Sequence, residues 1–553
     1  MISTVPGPAS GPITRRGLLA SACGIAASAG ASGLLSGCTG GGSTPAERNA
    51  GHVPLPNQTP FTKITPDLPG DQNKGISPGF FSYPLPAEQV QTVTGQVGSG
   101  GDLTNLVVTF SPPPSTMAKN AYWQAVNAAL NVNLKSILVP DDFATKLAAV
   151  LAGNDLPDLI TLYPADGWGL RRYESVVQAK FADLSDHLSG DAVQEYPNLA
   201  RLPQDSWRPG LVNGRIFATP TLRIGTGGAV FCRSDLISKY GADPQPGNAS
   251  DFEQLCQTFS DPDAKRWALA NDGSWMTRLF FPMFGVPNGW RTDDGGGLTN
   301  QIETEEWKQA VGYIAETWRK GWWHPDSAGA QSVESDPLFA NGTVALRGDN
   351  IVRYTVRGKL NFAVDLVRPF LVDGGPAQHI SRIETDFLTF VKKGEEDRVR
   401  ECLRVLNYLS APLGSKENFL RTFGPEGTNH TIEDGRPTLT DRGEAETTAL
   451  SLRFVAGGPD VLFASNGDAD MVTKIHDYQT AVADHRQLSP TDGLFAESLS
   501  GTTQINQLIT DTINDVVLGR KPIGALDEAV TKWRNGGGDK LREEYQEALA
   551  GDQ

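Results

Sequence analysis

The chain is poor in cysteine, in positive charge and in catalytic signatures. Its five cysteines are scattered over 553 residues with no CxxC spacing, which excludes a disulfide framework and a zinc ribbon. Among Cys232, Cys256 and Cys402 a single disulfide stays open. Cys402, however, lies on the apolar stripe Val399, Cys402, Leu403, Leu406 and Leu409, which favours a buried thiol. Lysine and arginine total 48 against 64 aspartates and glutamates, a formal net charge of -16. Such a chain repels phosphate backbones and anionic lipid, so nucleic acid is not an expected partner. No HExxH helix, Walker A loop or complete nucleotide fingerprint occurs, and Gly225-Thr226-Gly227-Gly228 lacks the spacing that should follow it. Gly75-Ile76-Ser77-Pro78-Gly79 matches the nucleophile-elbow pattern GxSxG. No strand precedes it and proline follows the serine, so it is set aside. Neither a cofactor nor a metal is expected.

What is present begins at the N-terminus. After Arg15-Arg16 the chain runs without charge from Gly17 to Leu35 and ends at Leu35-Ser36-Gly37-Cys38. A basic start and an apolar stretch read as a secretory signal. The small residue before Cys38 suits a signal peptidase acting on a lipid-modified cysteine. Residues 1–37 are thus expected as a signal peptide and Cys38 as the lipidated new N-terminus, carrying enough acyl chains for stable anchoring. Cys23 lies too close to Arg16 to leave room for an apolar region. Thr14-Arg15-Arg16-Gly17-Leu18-Leu19 resembles a twin-arginine signal, which exports folded proteins, with the general secretory route as the alternative. Cleavage removes two positive and no negative charges, taking the net charge to -18, and leaves no segment long and apolar enough to span a bilayer.

From Thr39 to about Gly101 the composition is rich in Gly, Ser, Pro, Thr and Asn, and residues 38–103 are expected to form a flexible tether. Ordered structure should start at the apolar run Leu106 to Phe110. A helix over about 116–130, a strand over 134–139, a helix opened by Asp141-Asp142-Phe143 and closed by Gly153, and a strand over 159–162 follow. This βαβαβ alternation implies a parallel sheet covered by helices on both faces, and hence an α/β fold. Ligands in such sheets sit beyond the carboxyl ends of the strands, here Ser111 to Ser115 and Tyr163 to Trp168. Val212-Asn213-Gly214-Arg215 signals a turn, and Gly228 to Cys232 reads as a strand leaving this first unit. Ser250-Asp251-Phe252-Glu253 reads as a capping box for a helix reaching Phe259. Thr304 should cap a helix whose apolar positions Trp307, Val311, Ile314 and Trp318 face a core and which Gly321 stops. The length and the 11 Trp, 11 Tyr and 23 Phe allow at least two domains with large cores.

Several segments in order resemble the family 1 extracellular solute-binding proteins, the receptors of ABC importers. They are Lys146 to Ile160, which contains Gly153-Asn154-Asp155-Leu156-Pro157-Asp158, then Phe181 to Ser185, Val212 to Pro220, and Arg233-Ser234-Asp235-Leu236 before Tyr240-Gly241. Phe339 to Ala345 and Phe423-Gly424-Pro425-Glu426-Gly427-Thr428-Asn429-His430 complete the set. The last segment is similar to that of the long, oligosaccharide-binding lipoprotein branch. The resemblance covers roughly residues 104–550 and implies a two-lobed periplasmic-binding-protein-like fold of the Venus flytrap type, with a hinge of crossing strands and a C-terminal helical part. It places lobe 1 at 104–222 plus 360–393 and lobe 2 at 223–359 plus 394–553, where Ile505, Leu508, Ile509, Ile513 and Val516 have helical spacing. It further implies a monomeric receptor, lipid-anchored on the extracellular face of the cytoplasmic membrane, that captures a small-molecule solute, an oligosaccharide above all, and passes it to an ABC importer permease.

A sugar cleft needs aromatic faces for C–H surfaces and rigid polar groups for hydroxyls. Candidate aromatics are Trp168, next to Asp166 beyond the third strand, and Trp275, with Trp290 in a Gly- and Asp-rich loop behind them. Each has packing as its alternative, and Trp322 and Trp323 are assigned to a core. Candidate polar residues are Arg223 beside the first crossing, Asp349 with Asn350 at a strand end, and Glu426 and His430 flanking the Gly-rich turn. The competing class is an anchored extracellular carbohydrate-active enzyme working with two carboxylates. Acids such as Glu384, Asp386 and Glu426 weigh little in a chain with 64 acidic residues. A binding protein that feeds a sensor shares every feature of the receptor.

Overall fold

The computed structural model of the chain describes residues 52–85, 88–153, 155–271, 275–328, 335–356, 360–433, 435–464 and 467–551. The signal segment, the Arg15-Arg16 pair and Cys38 lie outside them.

The first part of the described chain follows the apolar pattern closely. β1 (Asp102–Val108) is followed by α1 (Ala121–Leu130), β2 (Asn133–Val139), α2 (Phe143–Ala152) and β3 (Leu159–Leu162). Asn120 caps α1 by accepting the Trp123 N–H at 2.8 Å. β1 pairs in parallel with β2 from Asp102↔Asn133 to Val108↔Val139, and with β3 through Asn105↔Leu159 and Leu106↔Ile160. The Asn213-Gly214 turn, with positive φ at both residues, closes a small hairpin, as a two-residue turn of this kind requires. The chain reaches β4 (Ala218–Leu222), crosses through Arg223 to Gly227, and enters β5 (Gly228–Cys232). There α3 (Ala249–Phe259) and α4 (Glu305–Arg319) cover β5 and its antiparallel neighbours β6 (Leu346–Asn350) and β7 (Asp365–Val367). The return through residues 381–384 leads to β8 (Thr385–Val391), which inserts antiparallel between β3 and β4. The first sheet therefore runs β2-β1-β3-β8-β4 and the second β6-β5-β7.

Each sheet is buried on both faces. On the first, α1 and α5 (Glu396–Leu409) form one apolar layer. Leu147 and Leu151 of α2 form another with Tyr173, Val177 and Phe181. On the second, Phe252, Phe259, Trp275, Phe280 and Trp323 fill one face, and the helix α6 (Ala469–Val482) closes the other. A fully buried leucine such as Leu147 contributes about 2 kcal/mol. Trp307, Val311 and Ile314 are buried as the spacing of α4 predicts, and Thr304 caps that helix by accepting the Trp307 N–H. Ile509, Ile513 and Val516 of α7 (Thr503–Val517) pack against the same region. Cys232, Cys256 and Cys402 are free and buried, and burial pushes the Cys232 and Cys402 thiols up to about 12.

Four expectations are corrected. The cap of α3 is Asn248, which accepts the Asp251 N–H at 2.9 Å, so the helix begins ahead of the Ser250 box. The segment after Val391, grouped by sequence with the second half, sends α5 onto the first sheet, where Val399, Cys402, Leu403 and Leu406 meet Leu103 and Val107. β7, grouped with the first half, pairs with β5.

The expected tether, from His52 onward, is a strap fastened to the body. The N–H groups of Val53, Asn57 and Thr59 donate to the carbonyls of Gly214, Gly190 and Ala200, and the Val90 N–H to that of Gly414. Gly79–Phe80 pairs in parallel with Leu462–Phe463. Glu417 Oε1 accepts the N–H groups of Thr92 at 2.9 Å and Val93 at 2.8 Å, and Glu401 Oε1 accepts that of Ser99 at 2.6 Å. Arg398 ties Glu401 to Asp158. Burial alone would raise the Asp158 carboxyl, but Arg398 and Thr104 hold it below the usual carboxylate range. Backbone bonds of this kind need no side-chain pattern, so composition alone reads the strap as a linker.

Candidate functional site

The two crossings run side by side. Arg223 N–H donates to Glu384 O at 2.8 Å and Arg382 N–H to Gly225 O at 3.2 Å. Where they meet, the β8–β4 register shifts between Thr385 and Phe387. A bulge of this sort re-aims a side chain, and the extra residue is Asp386. Its carboxylate, 7% exposed, receives Arg223 Nη1 and Arg382 Nη2, each at 3.2 Å. The side chains that hold the crossings together thus also face the space between the sheets.

That space is a cavity of about 610 Å³. From the first sheet come Phe110, just past β1, Tyr163, just past β3, and Phe387 of β8. They form an aromatic wall with Phe454. Phe110 stands edge-on to Phe454 at 5.7 Å, Phe454 lies 4.8 Å from Phe387, and Phe387 4.1 Å from Tyr163. Phe110 is 66% exposed, so an apolar ring face is left open to the cleft. From the second sheet come Asp349 and Asn350 at the end of β6, with Arg353. Asp349 Oδ2 takes Arg347 Nη2 and Arg353 Nε at 2.8 Å each, and both arginines also pair with Asp336. An adjoining cavity of about 380 Å³ shares Arg223, Asp349 and Asn350 and adds Arg278, His379 and Arg382. Burial drops His379 to about 4, so the ring is neutral at physiological pH.

The far wall is built from the helix Lys416–Phe423, the short helix Leu452–Val455 and the loop that follows it. Arg421 donates to Ala456 O at 2.9 Å, and Arg453 lies 4.6 Å over the Phe454 ring. Arg453 sits deep among protein atoms yet meets solvent through the open cleft. Burial, with the Arg223 charge behind it, lowers its guanidinium from the usual arginine range. Gly457-Gly458-Pro459 brings Asp460 to the same wall. A Cβ at Gly458 would lie 2.9 Å from the carbonyls of Ser410 and Ala411, so only glycine permits this approach. Burial first, then repulsion by Glu384 and Asp386, pushes the Asp460 carboxyl up to about 7. Among the described residues no group of three or more His, Cys, Asp or Glu is placed to hold a metal ion.

The structure brings Arg223, Asp349 and Asn350 to this cleft and leaves the other candidates out. Asp166 and Trp168 ride a single helical turn, Pro164–Trp168, that turns away after Tyr163, and Trp168 packs half-buried on the first sheet's apolar layer. Trp275 is 2% exposed, donates Nε1–H to Ala270 O at 2.5 Å and belongs to the second core, with Trp322 and Trp323 beside it. Trp290 is buried against Trp533 and Tyr545. Glu426 is exposed on its turn. His430, 1% exposed, sits against Phe419 and Phe423 with Nδ1 near Phe423 O. The lining residues closest to that motif are Arg421 and Thr422, in the helix before it. Of the unforeseen residues, Phe110 carried a signal, since it closes the apolar run beyond whose carboxyl end the fold rule places a ligand.

Two α/β halves joined by crossing strands around a polar and aromatic cleft define a two-domain ligand-binding protein. The chain matches the family of bacterial extracellular solute-binding proteins over residues 114–393, and it belongs to that family. It is 22% identical over 502 residues to lipoprotein LipO of Bacillus subtilis (strain 168), covering 84% of this chain and 96% of that one. It is 19% identical over 460 residues to the polygalacturonan/rhamnogalacturonan-binding protein YtcQ of the same organism, covering 79% and 89%. Among solved structures, an HMO-binding, ABC-transporter-associated solute-binding protein from Bifidobacterium longum infantis superposes with a TM-score of 0.61 at 16% identity, covering 82% and 99%.

Proposed function

We propose that this protein is a lipid-anchored extracellular receptor that closes its two halves on an oligosaccharide and presents it to an ABC importer. The observation that carries the reading is the pairing, in one cavity, of an open aromatic wall with ion-paired arginines and carboxylates. Sugar rings lay C–H faces on aromatic rings, while their hydroxyls need donors and acceptors that do not move. Arg223 and Arg382 are fixed by Asp386, and Arg353 by Asp349, so the polar groups are set in advance. Closure about the crossings near Arg223 and Arg382 would bring the Asp349 side onto the Phe110 side, and the closed form is what a permease can distinguish. The names of YtcQ and of the Bifidobacterium structure are consistent with a glycan ligand. Cys38, preceded by Leu35-Ser36-Gly37, would supply the anchor, and LipO is a lipoprotein.

One observation favours an enzyme instead. Asp460 and Glu384, near enough to repel each other, are both pushed up to about 7, where a carboxyl can act as a general acid. Thermal shift and calorimetry of the full chain in detergent against an oligosaccharide panel, with product analysis, separates the readings. Stabilisation without turnover supports the receptor; released product establishes the enzyme. Cys38→Ala should move the protein from the membrane fraction to the medium.

A further inference from the structure

Charge in the cleft runs against charge in the chain. The protein as a whole is acidic at -16, yet six arginines, Arg223, Arg278, Arg353, Arg382, Arg421 and Arg453, line the two joined cavities against three aspartates. Two of those aspartates are already engaged, Asp386 by Arg223 and Arg382 and Asp349 by Arg353. The third, Asp460, keeps much of its proton near neutrality. Arg421 spends a hydrogen bond on a backbone carbonyl, and Arg453 has no carboxylate or carbonyl partner among the described residues, only the Phe454 ring beneath it. Arg453 is exposed on the cleft wall and feels the Asp386 charge without forming an ion pair with it, so its guanidinium fork is presented to an arriving anion.

We propose, resting on the receptor reading above, that the cleft selects sugars bearing an anionic substituent, a ring carboxylate in the first place. Arg453 receives the carboxylate, with Arg421 beside it, while the sugar ring lies against Phe110 and Phe454. The planar guanidinium fork matches a carboxylate in two parallel hydrogen bonds. Phe454 joins the two requirements, since it carries Arg453 on its face and meets Phe110 at its edge. A neutral oligosaccharide would satisfy the aromatic wall and make no ion pair with Arg453, so the preference is built into one side chain.

The test is calorimetry on the full chain in detergent with three sets of probes: oligomers of galacturonate, mannuronate and glucuronate, their methyl esters, and neutral oligosaccharides of the same length. Methyl esterification keeps ring and linkage and removes only the charge. At least one acid oligomer should bind tenfold or more tighter than its ester at low salt, with the gap narrowing as salt is raised. Arg453→Gln should reduce that gap to threefold or less at unchanged Tm, and Arg453→Lys should restore part of it. Equal affinity for acid and ester, or a gap that survives Arg453→Gln, overturns the proposal. Binding of a neutral oligosaccharide with no acidic oligomer bound overturns it as well and leaves the receptor reading standing. No binding in any arm overturns the receptor reading, and this proposal with it.

Discussion

Asp460→Asn should stabilise the protein at alkaline pH and leave it nearly unchanged in acid. Asp460 has one carboxyl oxygen buried without a hydrogen-bond partner, and its proton is held to about 7, against 3.8 for an ordinary aspartate. Between those two values the folded chain keeps a proton that the unfolded chain has released. The unfolded state binds fewer protons, so stability falls as pH rises from about 4 to about 7, and the loss is complete above that. Roughly three pK units at about 1.4 kcal/mol each set a ceiling near 4 kcal/mol, and water admitted by the open cleft should cut it to about 2. For a chain of this length that is a Tm rise of about 2 °C at pH 8, and none at pH 4. Differential scanning calorimetry of both proteins at half-unit intervals reads the divergence. Glu384, also pushed up to about 7 chiefly by burial, titrates in both proteins, so the difference between the two curves is the measured quantity. Parallel curves from pH 4 to 8, or a variant that loses stability with rising pH, would refute the placement of a desolvated carboxyl in this wall.

Phe110→Ala should weaken an oligosaccharide ligand about tenfold in calorimetry while Tm stays put, because an exposed ring is removed from the wall and nothing is taken from a core. Trp275→Ala should do the reverse, costing about 3–5 kcal/mol in denaturant unfolding with affinity held within twofold. Glu417→Ala strips an acceptor from the Thr92 and Val93 N–H groups, with an expected loss of about 2–4 kcal/mol and faster limited proteolysis between residues 52 and 101; an unchanged digestion pattern would count against the strap.

The parts legible in the sequence are those that local periodicity writes. β3 starts and ends at the residues the apolar run marks, and α2 lies between Asp142 and Gly153, although the Asp142 side chain does not cap it. The family follows from such segments too, because Val212 to Pro220 and Phe181 to Ser185 combine turn and strand signals at fixed offsets. What stayed hidden is non-local. β8 reads Thr-Asp-Phe-Leu-Thr-Phe-Val and is buried throughout, and nothing in it tells that it joins a parallel set from the opposite direction. Ala249 sits between Asn248 and Ser250, two residues that could both cap, and only the hydrogen bond to Asp251 decides between them. The cleft was half visible for a related reason. Arg223 and Asp349 stand at a crossing and a strand end, places topology marks in advance. Arg421 and Arg453 ride two separate helices, Lys416–Phe423 and Leu452–Val455, and Asp460 a loop, and residue type alone does not tell that the three share a wall. Trp168 and Trp275 pack with the two cores, because a tryptophan serves a core as readily as a sugar.

The strap sets the order in which the molecule can be completed. Ser99 waits for Glu401, Thr92 and Val93 for Glu417, and Gly79–Phe80 for Leu462–Phe463. These partners lie more than 300 residues downstream, among the least local contacts a chain of this size can make, and contacts of that range form slowly. The strap from Gly79 to Ser99 thus leaves the ribosome long before these partners exist, whereas Val53, Asn57 and Thr59 have theirs once the chain has reached Gly214. Tyr83, which hydrogen-bonds Asn418 at 2.5 Å, belongs both to that strap and to the cleft lining. A complete pocket wall therefore exists only once synthesis has run past residue 463. On a route that carries the chain across the membrane unfolded, the last step of building the receptor is taken outside the cell.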